Sequence, residues 1–170
     1  MGLDNIPKNY PCKTQGTAVL EPRLTTDGTP LTDENGTVLT TINCDKTAEC
    51  GGCTWKNDYE ASGLNGGQVS GIFGTSCWYR GKYGNYLLER LGHYDEDGSI
   101  SFYGDNEDGT EKSAQSCADL ASIFDESITE YRITEEYEAG ADDDTIIEAK
   151  YASWWLNWVA EKADGSVCWY

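Results

Sequence analysis

Apolar residues in the last third of the chain recur at helical spacing. Cys117, Leu120, Phe124, Ile128 and Tyr131 lie three or four residues apart, so they share one face of an α-helix. Ser113 stands where its N-cap belongs. Ile147, Tyr151, Trp154/Trp155 and Trp158/Val159 make the apolar face of a second helix. The carboxylates of 142–144 suit its positive N-terminal end, and Asp164-Gly165 ends it. The stretch EYEAGADDD separates the two helices. Further back, Leu87, Leu88 and Leu91 give a face to a short helix over about 83–91, with Gly92 at the C-cap position.

Strand signals dominate the first hundred residues. Val19, Leu20, Leu24, Leu31, Val38, Leu39 and Ile42 flank Asp27-Gly28 and Asn35-Gly36. Asp-Gly and Asn-Gly between apolar stretches predict hairpins, here two or three short strands. Residues 67–74 and 76–80 are strand candidates, and 99–103 form another between the Asp97-Gly98 and Asp108-Gly109 turns. Residues 45–67 read as loop. Residues 1–16 read as an extended lead-in broken by Pro7 and Pro11. The sum is an α+β fold: a small antiparallel sheet from the N-terminal half packed with a C-terminal antiparallel helix pair. A single domain over 1–170 is expected, with a β-rich, Cys-rich lobe at 1–92 and an acidic, mainly helical lobe at 93–170.

Composition adds material for the core. The chain is high in Trp (6) and Tyr (11), and such side chains supply a core where Leu and Met are scarce. Trp154 and Trp158 share a face with Tyr151, while Trp155 points partly elsewhere. A wide buried aromatic face is the expected arrangement. An exposed Trp acting as an interface anchor is the alternative.

Charge changes the picture of partners. The formal net charge is −18, distributed unevenly. Residues 1–93 carry 10 acids and 8 bases, a net of −2; residues 94–170 carry 20 acids and 4 bases, a net of −16. Such a field repels phosphates, so direct nucleic-acid binding through that half is disfavoured. It attracts cations and basic protein surfaces, and it imitates the charge of DNA. Solubility, or adaptation to a salty environment, is the plainer explanation. The N-terminal residues show no secretory apolar run. Residues 61–79 lack charge but are rich in Gly, Ser and Asn, so they cannot span a membrane. A cytoplasmic protein with no membrane contact is expected.

The seven cysteines are Cys12, Cys44, Cys50, Cys53, Cys77, Cys117 and Cys168. An odd number leaves one outside any closed disulfide framework, and a reducing compartment makes disulfides rare. Cys50-Gly-Gly-Cys53 is a C-x-x-C pair whose glycines permit a tight turn. Structural zinc takes four ligands in a tetrahedron, often all cysteine. Cys12, Cys44, Cys50 and Cys53 are the candidate set, with Cys77 the other choice for the fourth place. A redox or disulfide role and simple burial as unlinked thiols are the competing readings.

Other candidate chemistry is thinner. Asp95, Asp97, Asp105 and Asp108 would give oxygen ligands for a hard cation if two turns converged. The EF-hand pattern itself fails, since His93 and Gly104 occupy positions where it needs carboxylates. Two solvated Asp-Gly turns are the bland alternative. His93, the only histidine, would need Cys77 and an acid to make a nucleophile–base set. A helix C-terminal His suited to the dipole is the simpler role. GLNGGQVSGIFG lacks the Gly-Lys-Ser/Thr ending and the basic residues of a phosphate loop.

The triplet Cys-Trp-Tyr occurs at 77–79 and again at 168–170, each with a Gly three residues ahead (Gly74 and Gly165). Both copies are expected as short extended segments lying side by side and pinning the C-terminal residues onto the sheet.

MGLDNIPKNYPCKTQGTA, GIFGTSCWYRGKYGNYLL, FYGDNEDGT and WWLNWVAEKADGSVCWY resemble stretches of small acidic proteins of marine cyanobacterial viruses. The resemblance covers most of the chain. It implies expression inside a bacterial host, with packaging in the virion as a further option. No activity or site residue comes with it. The function expected on all these grounds is a non-enzymatic acidic interaction protein, a viral accessory or DNA-mimic binding a basic nucleic-acid-binding protein. A virion structural component is the first alternative, and a small metal- or thiol-dependent enzyme the second.

Overall fold

A computed structural model describes residues 4–64, 77, 79–80, 82–93, 100, 103–134 and 144–169. In chain order the elements are β1 (Asp4–Pro7), α1 (Pro11–Thr14), β2 (Leu20–Pro22), β3 (Thr40–Ile42), α2 (Cys44–Glu49) and α3 (Thr54–Ser62). There follow β4 (Tyr79–Arg80), α4 (Lys82–Arg90), β5 (Glu111–Lys112), α5 (Ala114–Thr134), α6 (Asp144–Lys162) and β6 (Ser166–Trp169). The class is α+β, with a small antiparallel sheet and a C-terminal helix pair.

The main sheet runs β4-β1-β6-β5. Its middle strands come from opposite ends of the described chain: Asn5 faces Cys168, and Pro7 faces Ser166. The expected lead-in is therefore a central strand. Pro7 fits there because β4 pairs only with Asp4 and Asn5, so no neighbour on that side asks Pro7 for an N–H. Asn5, Pro7, Ser166 and Cys168 are buried while Ile6 and Val167 are half-buried, the alternation of a one-faced sheet. The sheet takes β5 and β6 from the second half as well as β1 and β4 from the first. The two Cys-Trp-Tyr copies flank β1, since Asn5 pairs with Tyr79 on one side and Cys168 on the other. One strand separates them.

The expected hairpins form an arm over residues 20–42. Leu20 pairs with Ile42 at its base, and the Leu24↔Pro30 and Thr32↔Val38 bridges continue it. At its centre three backbone bonds close a ring: Arg23 N–H donates to Leu39 O, Leu39 N–H to Leu31 O, and Leu31 N–H to Arg23 O, each at 2.8 Å. These residues are eight apart, and Gly28-Thr29 and Gly36-Thr37 repeat at the same interval.

α5 and α6 pack antiparallel. The Ser153 hydroxyl donates to Asp125 Oδ1 at 2.7 Å near mid-length, and Cys117 at the start of α5 meets Ser166 beyond the end of α6. Ser113 caps α5 as expected, its hydroxyl oxygen accepting the Ser116 N–H at 3.2 Å. α4 spans the expected segment and ends as expected, with Gly92 N–H on Glu89 O and His93 N–H on Leu88 O.

α6 is buried nearly all round, including Tyr151, Trp155 and Trp158, which marks it as the central helix. Trp55, Tyr79 and Leu87 share its core with Phe124 and Trp155, so both expected lobes contribute to one apolar cluster. Rings meet face to face at Trp55–Tyr59 (centroids 5.4 Å) and edge to face at Tyr59–Tyr151 (5.7 Å). The turn after α6 requires glycine at 165. Its φ is +98°, and a Cβ there would overlap the Lys112 carbonyl of β5.

Residues 45–67, expected as loop, hold α2 and α3. Both helices are short, and Trp55 is the only buried residue of α3, so no apolar stripe announces them. Their starts depend on Asn43, whose side chain accepts the Lys46 N–H at 2.9 Å, and on Cys53 as N-cap. The strand candidate at 67–74 lies outside the described residues, as does most of 99–103.

Candidate functional site: a thiol-lined cavity and an acidic face

Four cysteines line one small cavity of about 20 Å³: Cys12, Cys44, Cys53 and Cys77. Local structure places each. Cys12 follows Pro11 in α1, and its carbonyl accepts the N–H groups of Thr17 and Ala18. Cys44 opens α2 and Cys53 caps α3. Cys77 precedes β4, held by the Trp155 indole N–H, which donates to its carbonyl at 2.8 Å. Gly52 brings the α2–α3 link against the segment after α1: the Thr17 hydroxyl donates to Gly52 O at 2.7 Å, and a Cβ at 52 would stand 2.5 Å from Thr17 O.

Three members of the expected zinc set, Cys12, Cys44 and Cys53, therefore meet. Cys50 does not join them. It is exposed at the C-cap of α2, because the two glycines of the C-x-x-C separate two helices instead of folding one hairpin turn. Cys77 takes its place at the cavity. As the side chains stand, no three His, Cys, Asp or Glu groups among the described residues are set to hold a metal ion.

Burial, then mutual repulsion among the sulfurs, raises the pKa of Cys12, Cys44 and Cys77. These thiols stay protonated at neutral pH, whereas a nucleophilic cysteine needs the opposite shift. His93, the supposed base for Cys77, does not line this cavity. Close by, the Trp55 N–H and the Tyr79 and Tyr151 hydroxyls are buried without a well-formed hydrogen bond, the Trp55 N–H only approaching the Tyr151 hydroxyl. Burial drives the Tyr151 hydroxyl well above the usual phenol range, and the Trp55 N–H leaning on it offsets only part of that.

The acids divide by role. Asp95 and Asp97 lie outside the described residues. Asp105 accepts the Ser113 N–H at 2.9 Å and the Ser116 hydroxyl at 2.8 Å, with Lys112 Nζ at 3.5 Å. Burial opposes its ionisation, but these donors together pull its pKa down. It organises the start of α5, a task distinct from the expected cation site, while Asp108 is exposed on the turn beside it. Asp58 accepts the Trp158 indole N–H at 2.8 Å and pairs with Lys162 at 2.6 Å. By contrast Asp119, Glu126 and Glu130 are exposed. Spacings of seven and four keep them on one stripe of α5. Beside that stripe an open cleft of about 300 Å³ is walled by Tyr103, Asp105, Lys112, Asp119, Leu120 and Ile123.

The chain matches no family model, no curated protein and no solved structure. Among the described residues no helix is long and apolar enough to cross a membrane.

Sequence reasoning missed Asp58 and the structural duty of Asp105. A carboxylate that caps or pairs across the fold carries no local signature. Cys77 had one weak signal, its membership of the repeated triplet.

Proposed function

We propose that this chain is a non-enzymatic acidic interaction protein that binds a basic protein partner. The observation that carries the reading is the exposed carboxylate stripe of α5, Asp119, Glu126 and Glu130, on the half that bears a net charge of −16. The partner it suits is a nucleic-acid-binding protein whose basic surface meets the stripe in place of phosphates. Direct nucleic-acid or membrane binding has no support in this charge pattern. The raised thiol pKa values argue against the thiol-enzyme alternative. The viral resemblance of the sequence supports action in the cytoplasm of a bacterial host.

The test uses a panel of purified basic nucleic-acid-binding proteins from such a host. At least one should bind at low salt, weaken about tenfold or more at high salt, and be displaced by duplex DNA. The triple variant Asp119→Asn, Glu126→Gln, Glu130→Gln should weaken that binding with no loss of thermal stability. Binding that is indifferent to salt and to the triple variant would sink the proposal.

A second reading, a virion structural component, draws on the arm. Leu20, Leu24, Val38 and Leu39 are large, apolar and exposed there, as in a segment that assembles with other chains. Presence in purified particles and self-association in solution would favour it.

A further inference from the structure

We infer that Cys12, Cys44, Cys53 and Cys77 form a tetrathiolate site for a thiophilic divalent cation, zinc being the natural occupant. Four thiols from four separate chain segments line one cavity. Scattered burial of inert cysteines gives no reason for all four to gather there, while Cys117 and Cys168 lie elsewhere, bonded to Ser166 and Asn5. The cavity has room for about one water-sized sphere, which is enough for a bare cation.

Four neutral thiols do not converge, and no three of them hold a common point. A tetrahedral zinc needs sulfurs about 2.3 Å from the metal, hence roughly 3.8 Å from one another. Rotating a cysteine between staggered χ1 wells moves its sulfur by about 3 Å, so side-chain rotation supplies the motion. Cys44 is half-buried and opens α2, which gives the ion a way in from the surface.

Charge balance follows simply. One divalent cation replaces four thiol protons, which leave to solvent, and a complex of charge −2 remains. No electron moves, so no oxidant is required. The buried negative charge needs donors, and one is waiting. Trp55 lines the same cavity and is 3 % exposed, and its indole N–H makes no well-formed hydrogen bond, only a looser approach to the Tyr151 hydroxyl. A thiolate sulfur would give it an acceptor. The first N–H groups of α3, which lack intrahelical acceptors, stand next to Cys53.

The thiol-lined cavity shares no lining residue with the cleft beside the acidic stripe, so its test does not rest on partner binding. It ties α1, α2 and α3 to the strand that carries Tyr79. Its contribution is to lock the Cys-rich region around the aromatic core.

The test is cobalt titration of the full chain, reduced and freed of metal. One equivalent should produce the intense visible absorption of tetrahedral cobalt–thiolate, which zinc then bleaches. Affinity should rise steeply with pH, because protons are displaced. Cys44→Ser and Cys77→Ser should each weaken binding by about a hundredfold or more, whereas Cys50→Ser and Cys168→Ser should leave the spectrum in place. Cys44 is half-exposed, so its variant stays informative if Cys77→Ser fails to fold. A folded wild-type chain that gives no such spectrum overturns the proposal. So does a spectrum that needs Cys50 but not Cys77, or disulfides among these four cysteines in the protein as isolated.

Discussion

The Cys168 thiol donates to the Asn5 side-chain carbonyl at 3.1 Å, tying the two middle strands of the sheet together on its buried face. Both residues are nearly inaccessible to water, so each would leave the other stranded if removed. Truncation after Val167 deletes this bond and the Asp4↔Trp169 pairing. It should lower stability by about 3 kcal/mol or more, a drop in Tm of roughly 6–12 °C for a chain of this size. Urea unfolding and thermal melts measure it. An unchanged Tm would mean that the last residues are free to meet a partner.

Gly165→Ala should be among the most damaging single-methyl additions in the chain. It forces a side chain into positive φ and against the Lys112 carbonyl, where β5 meets the end of α6. The expected loss is about 2–4 kcal/mol, read from the urea midpoint. Gly28→Ala, at positive φ but with open space around it, should lose distinctly less. Equal losses at the two sites would refute the close-contact explanation.

Alkaline pH should destabilise the fold through its cysteines. Burial pushes the Cys168 thiol up to about 11, and Cys12, Cys44, Cys77 and Cys117 are raised too. In the unfolded chain these thiols ionise near pH 9. Their stabilisation is therefore complete below that value and lost as pH rises through the folded pKa values. Metal-free protein should show a stability that falls between about pH 9 and 11, faster than that of a Cys168→Ala, Cys117→Ala double variant measured against its own neutral value.

At the acid end Asp105 works the other way. Its pKa is depressed in the folded state, so its contribution is present above the ordinary carboxylate value and disappears as pH falls through the lower one. Asp105→Ala should cost about 1–2 kcal/mol at pH 7, and much less at pH 2. Hydrogen exchange should show the loss concentrated in the first turns of α5.

What was legible in the sequence follows from length and period. α5 and α6 are long enough for their apolar stripes to repeat, and Gly92 and Ser113 end and begin helices by local chemistry alone. β1 was hidden because its buried side chains are Asn5 and Pro7, neither of which reads as core. α2 and α3 were hidden because each is too short to show a period. Three of the four cysteines that line the small cavity, Cys12, Cys44 and Cys53, were grouped by sequence alone. Cys50 looked like a ligand from its spacing to Cys53, but that spacing straddles two helices and points the two sulfurs apart. Cys77 is brought in by the packing of Trp155 against its carbonyl, which no local pattern announces.

The strand order has a consequence for synthesis. β1 emerges from the ribosome about 160 residues before β6, the longer of its two partners. At ordinary elongation rates that gap is roughly ten to thirty seconds. Throughout it, β1 and β4 hold at most a two-residue ladder, with the other edge of β1 open to any passing strand. The nascent chain is thus exposed to mispairing and aggregation until β6 emerges, and cooler expression, which weakens apolar association, should yield more folded protein.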